Sequence, residues 1–338
     1  MKILIQSYNI KDLIAMSRSI FQAALSPVRV YNLFMVKISK ILKKRRVAGL
    51  PINILIEPTR YCNYSCVQCP RQEFPEIKSL DKMEITLEEF RHIMDRIGRY
   101  LFTIRFWHYG EPLKNRELPK MIKMAKDLKI FTVVSSNCSI LSGEIGEGLI
   151  ESGLDYLLVS LNAATARTHK KFTQTDSFNE VANNLKEFVG LKKKIKSGRP
   201  FVNLQFIVMK DNFGEVQEMK KLSKHIGADK LSFKYPGFKR NELGVDDRRY
   251  QLKGLEKSYF CSLPYEECVI SANGDVTPCA PDMRNQYVMG NVFSEDFKLI
   301  WNNSKYSRFR ELMKKDINSI GICRDCPKKN NPDFFIEI

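Results

Sequence analysis

The chain has 338 residues, 55 Lys+Arg against 38 Asp+Glu for a formal charge of +17, and 43% apolar residues. This supplies a sizeable core for one large domain or two ordinary ones and excludes a mainly disordered, collagenous or low-complexity chain. The longest charge-free stretch, 130–143, is short of the roughly 20 apolar residues that cross a bilayer, and the start of the chain lacks a secretory pattern, so a cytoplasmic protein is expected.

Residues 1–50 read as a basic helical extension. Leu13, Ile14, Ile20, Phe21, Leu33, Phe34, Ile38, Ile41 and Leu42 recur at helical spacing, Ser26-Pro27 breaks the run into two helices, and the second ends in Lys43-Lys44-Arg45-Arg46. Such a helix either packs on the main domain with its basic end solvated, the preferred reading, or lies peripherally on an anionic membrane. From 51 to 257, short apolar β-rich runs at 52–56, 103–107, 131–134, 156–160, 202–208 and 231–235 alternate with helical stretches. The first helix opens at Thr86 with Glu89 three residues on, the signature of a capping box. Six alternations predict an α/β fold, a partial (β/α)6 TIM-like barrel with its chemistry just beyond the C-terminal ends of the strands. Residues 258–338 are expected to form a small separate domain. It opens with a hairpin at Cys268 to Thr277 turning on Asn273-Gly274, and a short helix follows at 306–314.

The nine cysteines are odd in number and clustered, in a chain far longer than a disulfide-stapled secreted domain, so metal or cluster ligation leads over disulfides. Directly after the first strand run come Cys62, Cys66 and Cys69. Three local thiolates would fill three corners of a [4Fe-4S] cubane and leave one iron open to an outside chelating ligand. Zinc awaiting a fourth ligand is the rival reading. The second run ends in Trp107-His108-Tyr109-Gly110-Glu111-Pro112, the third in Ser135-Ser136-Asn137-Cys138 and the fourth in Ser160-Leu161-Asn162.

The C-x3-C-x2-C loop and the Gly-Glu-Pro element, on these elements in this order, resemble the radical S-adenosylmethionine (SAM) superfamily. The later order C-x12-G-x4-C, from Cys261 through Gly274 to Cys279, followed by Cys323 and Cys326, resembles that superfamily's SPASM or shorter twitch extension. The resemblance implies a SAM-binding [4Fe-4S] cluster on Cys62, Cys66 and Cys69. It also implies SAM contacts from Gly110, Glu111, Ser136, Ser160 and Asn162, and one auxiliary [4Fe-4S] cluster on Cys261, Cys279, Cys323 and Cys326. A zinc site on those last four cysteines is the alternative. Cys138 stands where many relatives carry Gly, and Gln68 where they often carry an aromatic beside adenine. Cys268 is left over. It is a candidate hydrogen donor if its face of the hairpin covers the barrel mouth, and otherwise a buried packing residue or spare ligand.

The activity the resemblance implies is reductive cleavage of SAM to a 5'-deoxyadenosyl radical that abstracts a substrate hydrogen atom. The expected outcome is dehydrogenation or epimerisation of a small polar, sugar-like molecule, with peptide maturation as the alternative. A flavodoxin or ferredoxin is the expected one-electron reductant. No recognisable RNA-binding motif accompanies the positive charge, so no specific nucleic acid is expected. A zinc-bearing scaffold or lipid-binding module is the non-enzyme alternative.

Overall fold

The structure is a computed structural model, and it describes residues 21, 25–67, 69–74, 82–234, 260–324, 326 and 335–336. Most of the first expected N-terminal helix, and Gln68, lie outside the described residues. Helix α1 (Pro27–Ile41) begins where Ser26 breaks the chain: its side chain accepts from the Arg29 backbone N–H, and Pro27 occupies the first turn, where its missing donor costs nothing.

Six parallel strands then pair in chain order: β1 (Asn53–Ile56), β2 (Thr103–Phe106), β3 (Phe131–Ser136), β4 (Tyr156–Ser160), β5 (Phe201–Ile207) and β6 (Lys230–Lys234). Each expected run forms a strand. Helices α2 (Pro70–Glu73), α3 (Leu87–Ile97), α4 (Leu118–Asp127), α5 (Gly143–Glu151), α6 (Ala166–Thr173), α7 (Phe178–Lys194) and α8 (Val216–Ile226) lie in the crossovers. The capping box at the start of α3 forms: Thr86 Oγ1 accepts from Glu89 N, and the Glu89 carboxylate accepts from Thr86 N.

Strand alternation sorts side chains between two environments. Ile54, Ile56, Ile104, Phe106, Val134, Leu157 and Val159 join the large core shared with Phe90, Ile93 and Ile122 of the helices. Phe131, Val133 and Tyr156 face the opposite way and form a second, smaller cluster with Trp107, Leu158 and Phe201 inside the curled sheet. This inner cluster plugs the barrel below its C-terminal end, so the cavity above it opens where the motif loops gather.

The C-terminal segment contains α9 (Leu263–Glu266), β7 (Glu267–Ile270), β8 (Asp275–Thr277), β9 (Gly290–Asn291), α10 (Phe297–Trp301), α11 (Ser304–Asp316), α12 (Gly321–Arg324) and β10 (Phe335–Ile336). The expected hairpin is β7–β8, antiparallel, with Gly274 at φ +88°. Its first strand also runs parallel to β1, with Ile54 opposite Cys268, so one sheet of ten strands carries both the barrel and the hairpin.

This register decides the placement of Cys268. It shares a face with Ile54 and Ile270, is fully buried in the large core, and lies beside Arg310 and Tyr306. The condition for a hydrogen donor, a face toward the barrel mouth, is not met. The thiol is a packing residue on the helix side of the sheet, and burial pushes its pKa up.

Candidate active site

Cys62, Cys66 and Cys69 lie in the loop after β1 and line one cavity of about 200 Å³ with Gly110, Glu111, Ser136, Ser160 and Asn162. All eight residues expected here are therefore brought together. The loop is held from behind by α6, through Val67 N to Phe172 O (2.9 Å) and Ser65 N to Thr173 O (3.4 Å). Burial together with the neighbouring Cys69 and Cys62 thiols pushes the Cys66 thiol up to about 12. Crowding of like ionisable groups is what a shared positive centre relieves.

Glu57, at the end of β1, organises the surroundings. Its carboxylate forms a buried ion pair with Arg60 (2.7 Å), accepts from Tyr109 N (3.1 Å) in the Gly-Glu-Pro segment, and accepts from Ala272 N (3.1 Å) in the hairpin. One side chain thereby joins three motif loops. Gly110 is required by close approach: a Cβ there would lie 1.9 Å from the carbonyl oxygen of Thr59. Tyr109 donates its hydroxyl to the Met283 carbonyl and so ties the site to the C-terminal segment.

Glu111 is buried, which raises its pKa, and its oxygens accept from Ser136 Oγ (2.7 Å), Asn137 N (2.8 Å) and Leu113 N (3.1 Å). Ser136 also accepts from Cys138 N (2.8 Å), so its hydroxyl positions Glu111 at the cavity wall. Its neighbour Ser135 lines the cavity too, 3.3 Å from Ser160 Oγ. Asn162 is anchored by accepting from Ile207 N (2.9 Å). Cys138 adopts φ +58°, the left-handed region that explains glycine at this position in relatives.

Sequence reasoning missed His108, although it stands inside the quoted motif. It lines the cavity with its side chain 6% exposed, and neither ring nitrogen completes a full hydrogen bond among the described residues, although the Ala280 backbone carbonyl lies near enough to favour its protonated form and Glu57 Oε1 is 3.9 Å from Nδ1. Burial holds its pKa down at about 4, so the imidazole is neutral near pH 7. Ser135 was recoverable from strand alternation. His169, Phe172 and Thr173 were not, because α6 has too weak an apolar pattern to be read.

In the C-terminal segment Cys279 is buried, which raises its pKa, and the thiols of Cys261, Cys323 and Cys326 stand near enough to raise it further. The four residues expected to act together therefore stand in one neighbourhood. No disulfide forms among the nine cysteines. Four tetrahedral zinc thiolates would sit about 3.8 Å apart, from Zn–S bonds of about 2.3 Å. Yet among the described residues no three Cys, His, Asp or Glu converge on a single-ion position. A cubane instead takes one thiolate on each of separate irons.

The family model of the radical SAM superfamily matches residues 56–222, and that of the SPASM iron-sulfur cluster-binding domain matches residues 261–327. The tungsten-containing aldehyde ferredoxin oxidoreductase cofactor-modifying protein of Pyrococcus furiosus is 21% identical over 83% of this chain and 88% of its own length. The mycofactocin maturase MftC of Mycobacterium tuberculosis is 23% identical over 82% and 75%. The S-adenosyl-L-methionine-dependent 2-deoxy-scyllo-inosamine dehydrogenase of Niallia circulans is 21% identical over 81% and 91%. Two solved structures share the fold: Streptococcus suis SuiB with bound S-adenosylmethionine, at TM-score 0.64 and 16% identity over 86% of this chain and 75% of that one, and BtrN with AdoMet and 2-DOIA, at TM-score 0.52 and 18% identity over 85% and 99%. With both models matched in order along one chain, and a cavity gathering the motifs of the first, the protein belongs to the radical SAM superfamily and carries a C-terminal SPASM domain.

Proposed function

We propose that this radical SAM enzyme is a dehydrogenase that oxidises a hydroxyl-bearing carbon of a small polar molecule to a carbonyl. Its cofactors, a [4Fe-4S] cluster, SAM and auxiliary iron-sulfur in the SPASM domain, when bound supply the 5'-deoxyadenosyl radical that removes a hydrogen atom and a site for the electron left behind. Cys62, Cys66 and Cys69 would hold the SAM-binding cluster, and Cys261, Cys279, Cys323 and Cys326 one auxiliary cluster. Glu111, held by Ser136 and Asn137, offers its carboxylate to an ammonium; Ser160 and Asn162 offer hydroxyl and amide groups to a carboxylate or ribose.

The observation that carries the reading is His108, a neutral imidazole in the cavity wall with one ring nitrogen toward the Ala280 carbonyl and the other left with its lone pair. Its free nitrogen lone pair takes the hydroxyl proton while the carbonyl forms. The substrate then loses one hydrogen atom from carbon, one proton from oxygen to His108, and one electron, leaving it lighter by two hydrogens. Epimerisation needs a thiol or other hydrogen donor at the cavity, and Cys268 lies on the other side of the sheet. Kinship with a 2-deoxy-scyllo-inosamine dehydrogenase supports a cyclitol-like substrate; kinship with the mycofactocin maturase supports a peptide as the second reading.

The test is anaerobic incubation of the reconstituted enzyme with SAM, reductant, and a panel of sugars, aminocyclitols and short peptides. The expected result is one compound consumed to a product lacking two hydrogens, with deuterium from the carbinol carbon appearing in 5'-deoxyadenosine. His108→Gln is expected to keep forming 5'-deoxyadenosine while product falls about a hundredfold or more. A product of unchanged mass in ordinary water, and one mass unit heavier in deuterated solvent through deuterium on carbon, would establish epimerisation instead.

A further inference from the structure

Helix α1 packs on the enzyme largely through polar residues, with Val36 and Leu33 among them. Asn32 Nδ2 donates to Leu50 O (2.9 Å) while its Oδ1 accepts from Leu50 N (2.8 Å), and Ser39 Oγ accepts from Ala48 N (3.0 Å). Arg29 donates to the Leu128 carbonyl, and Lys37 and Lys40 both lie 2.7 Å from Glu266 Oε1. Arg29, Asn32 and Ser39 are buried. Val36 is buried with them and Leu33 packs partly against the core, but a second set of apolar residues points outward: Tyr31 is 65% exposed, Phe34 59% and Ile41 73%, with Val30 and Leu42 also exposed. At 3.6 residues per turn these five span an arc of roughly 120°. A soluble surface helix has the opposite arrangement, so this apolar face is unmatched by anything the described residues supply.

The flank of this face is cationic. Lys43, Lys44, Arg45 and Arg46 follow Leu42 directly, and Arg45 and Arg46 line a groove of about 610 Å³ with Arg308 and Lys315 of α11, against one carboxylate, Glu311. A second hollow of about 610 Å³ runs beside Tyr31 between α1 and α10, where Leu299 is also exposed.

We propose that α1 is an interfacial anchor that seats the enzyme on an anionic phospholipid surface, its outward face inserted among acyl chains and the Arg45–Arg46–Arg308–Lys315 groove on headgroup phosphates. Fifteen residues rise about 22 Å, too short for a hydrocarbon core of about 30 Å, so the helix lies along the surface. Charge chooses the occupant. A second copy of this chain would bring the same cations into contact with themselves, whereas phosphates neutralise them. The inference is independent of the dehydrogenase reading, since it places the enzyme and says nothing of the reaction.

The test is flotation of the full, cluster-loaded enzyme with vesicles of equimolar phosphatidylglycerol and phosphatidylcholine, and with phosphatidylcholine alone. The expected result is flotation with the anionic vesicles, weakened about tenfold or more by neutral lipid or high salt. Phe34→Asp with Ile41→Asp, and separately Arg45→Glu with Arg46→Glu, should each abolish flotation while iron content and SAM cleavage stay at the parent level. Absence of wild-type flotation, flotation unaffected by both variants, or a wild-type dimer that Phe34→Asp with Ile41→Asp splits without any lipid binding would overturn the proposal.

Discussion

Two buried residues carry most of the site's electrostatics. Glu57 neutralises Arg60 in a space where neither reaches water, and its other contacts fix Tyr109 and Ala272. Removing one partner of such a pair leaves an uncompensated buried charge, so Glu57→Ala should cost about 3–5 kcal/mol in denaturant unfolding, far more than any exposed ion pair. His108 gives a pH signature. Its folded pKa of about 4 lies below the unfolded value of 6.5, so between these values the unfolded chain binds a proton that the folded chain does not. Stability is undiminished above pH 6.5 and falls as pH drops toward 4, by about 3 kcal/mol at full titration. Thermal melts from pH 7.5 to 5 should therefore fall more steeply for wild type than for His108→Gln. Equal slopes would show that the imidazole is not held neutral. Glu57 and His108 were both visible as letters beside the motifs, but their burial and partners depend on loops far apart in sequence.

The elements differ in how far the sequence disclosed them. The six barrel strands were legible because each is a short apolar run bounded by turn residues, and α3 because its capping box is a local pattern. Helix α6 escaped because Phe172 is almost the only large apolar residue in Ala166–Thr173, although Thr165 caps it by accepting from Thr168 N. The polarity of α1 escaped for a different reason: periodicity reveals a stripe but not which side of the helix meets the protein. The pairing of β7 with β1 joins residues more than 200 positions apart, so local propensity could not show that hairpin and barrel share a sheet. The turn of that hairpin was legible in Asn273-Gly274, and its steric demand is testable. An alanine Cβ at Gly274 would sit 2.4 Å from the Phe293 ring in a left-handed backbone, so Gly274→Ala should cost about 2–3 kcal/mol and loosen the iron bound nearest Cys279. Unchanged stability and iron would contradict that account of the turn.

Across the whole molecule, two cysteine sets occupy opposite ends of one chain and are joined by a single sheet and by the Glu57 and Tyr109 contacts. Among the described residues no helix is long and apolar enough to cross a membrane, and Arg45 and Arg46, just after α1, share a groove with Arg308 and Lys315 of α11. The sequence sufficed for the family because ligand spacing is chemistry written locally; the substrate is not written that way, since the cavity is assembled from the ends of several strands. The division of labour between the two sets is the central claim, and one measurement tests it. Cys62, Cys66 and Cys69 are changed together to Ala, the protein is reconstituted anaerobically, and iron and 5'-deoxyadenosine are quantified beside wild type. Wild type should hold about eight irons, and the triple variant should keep about half of them while forming no 5'-deoxyadenosine. SAM cleavage persisting in the triple variant, or full iron retained there, would contradict the assignment.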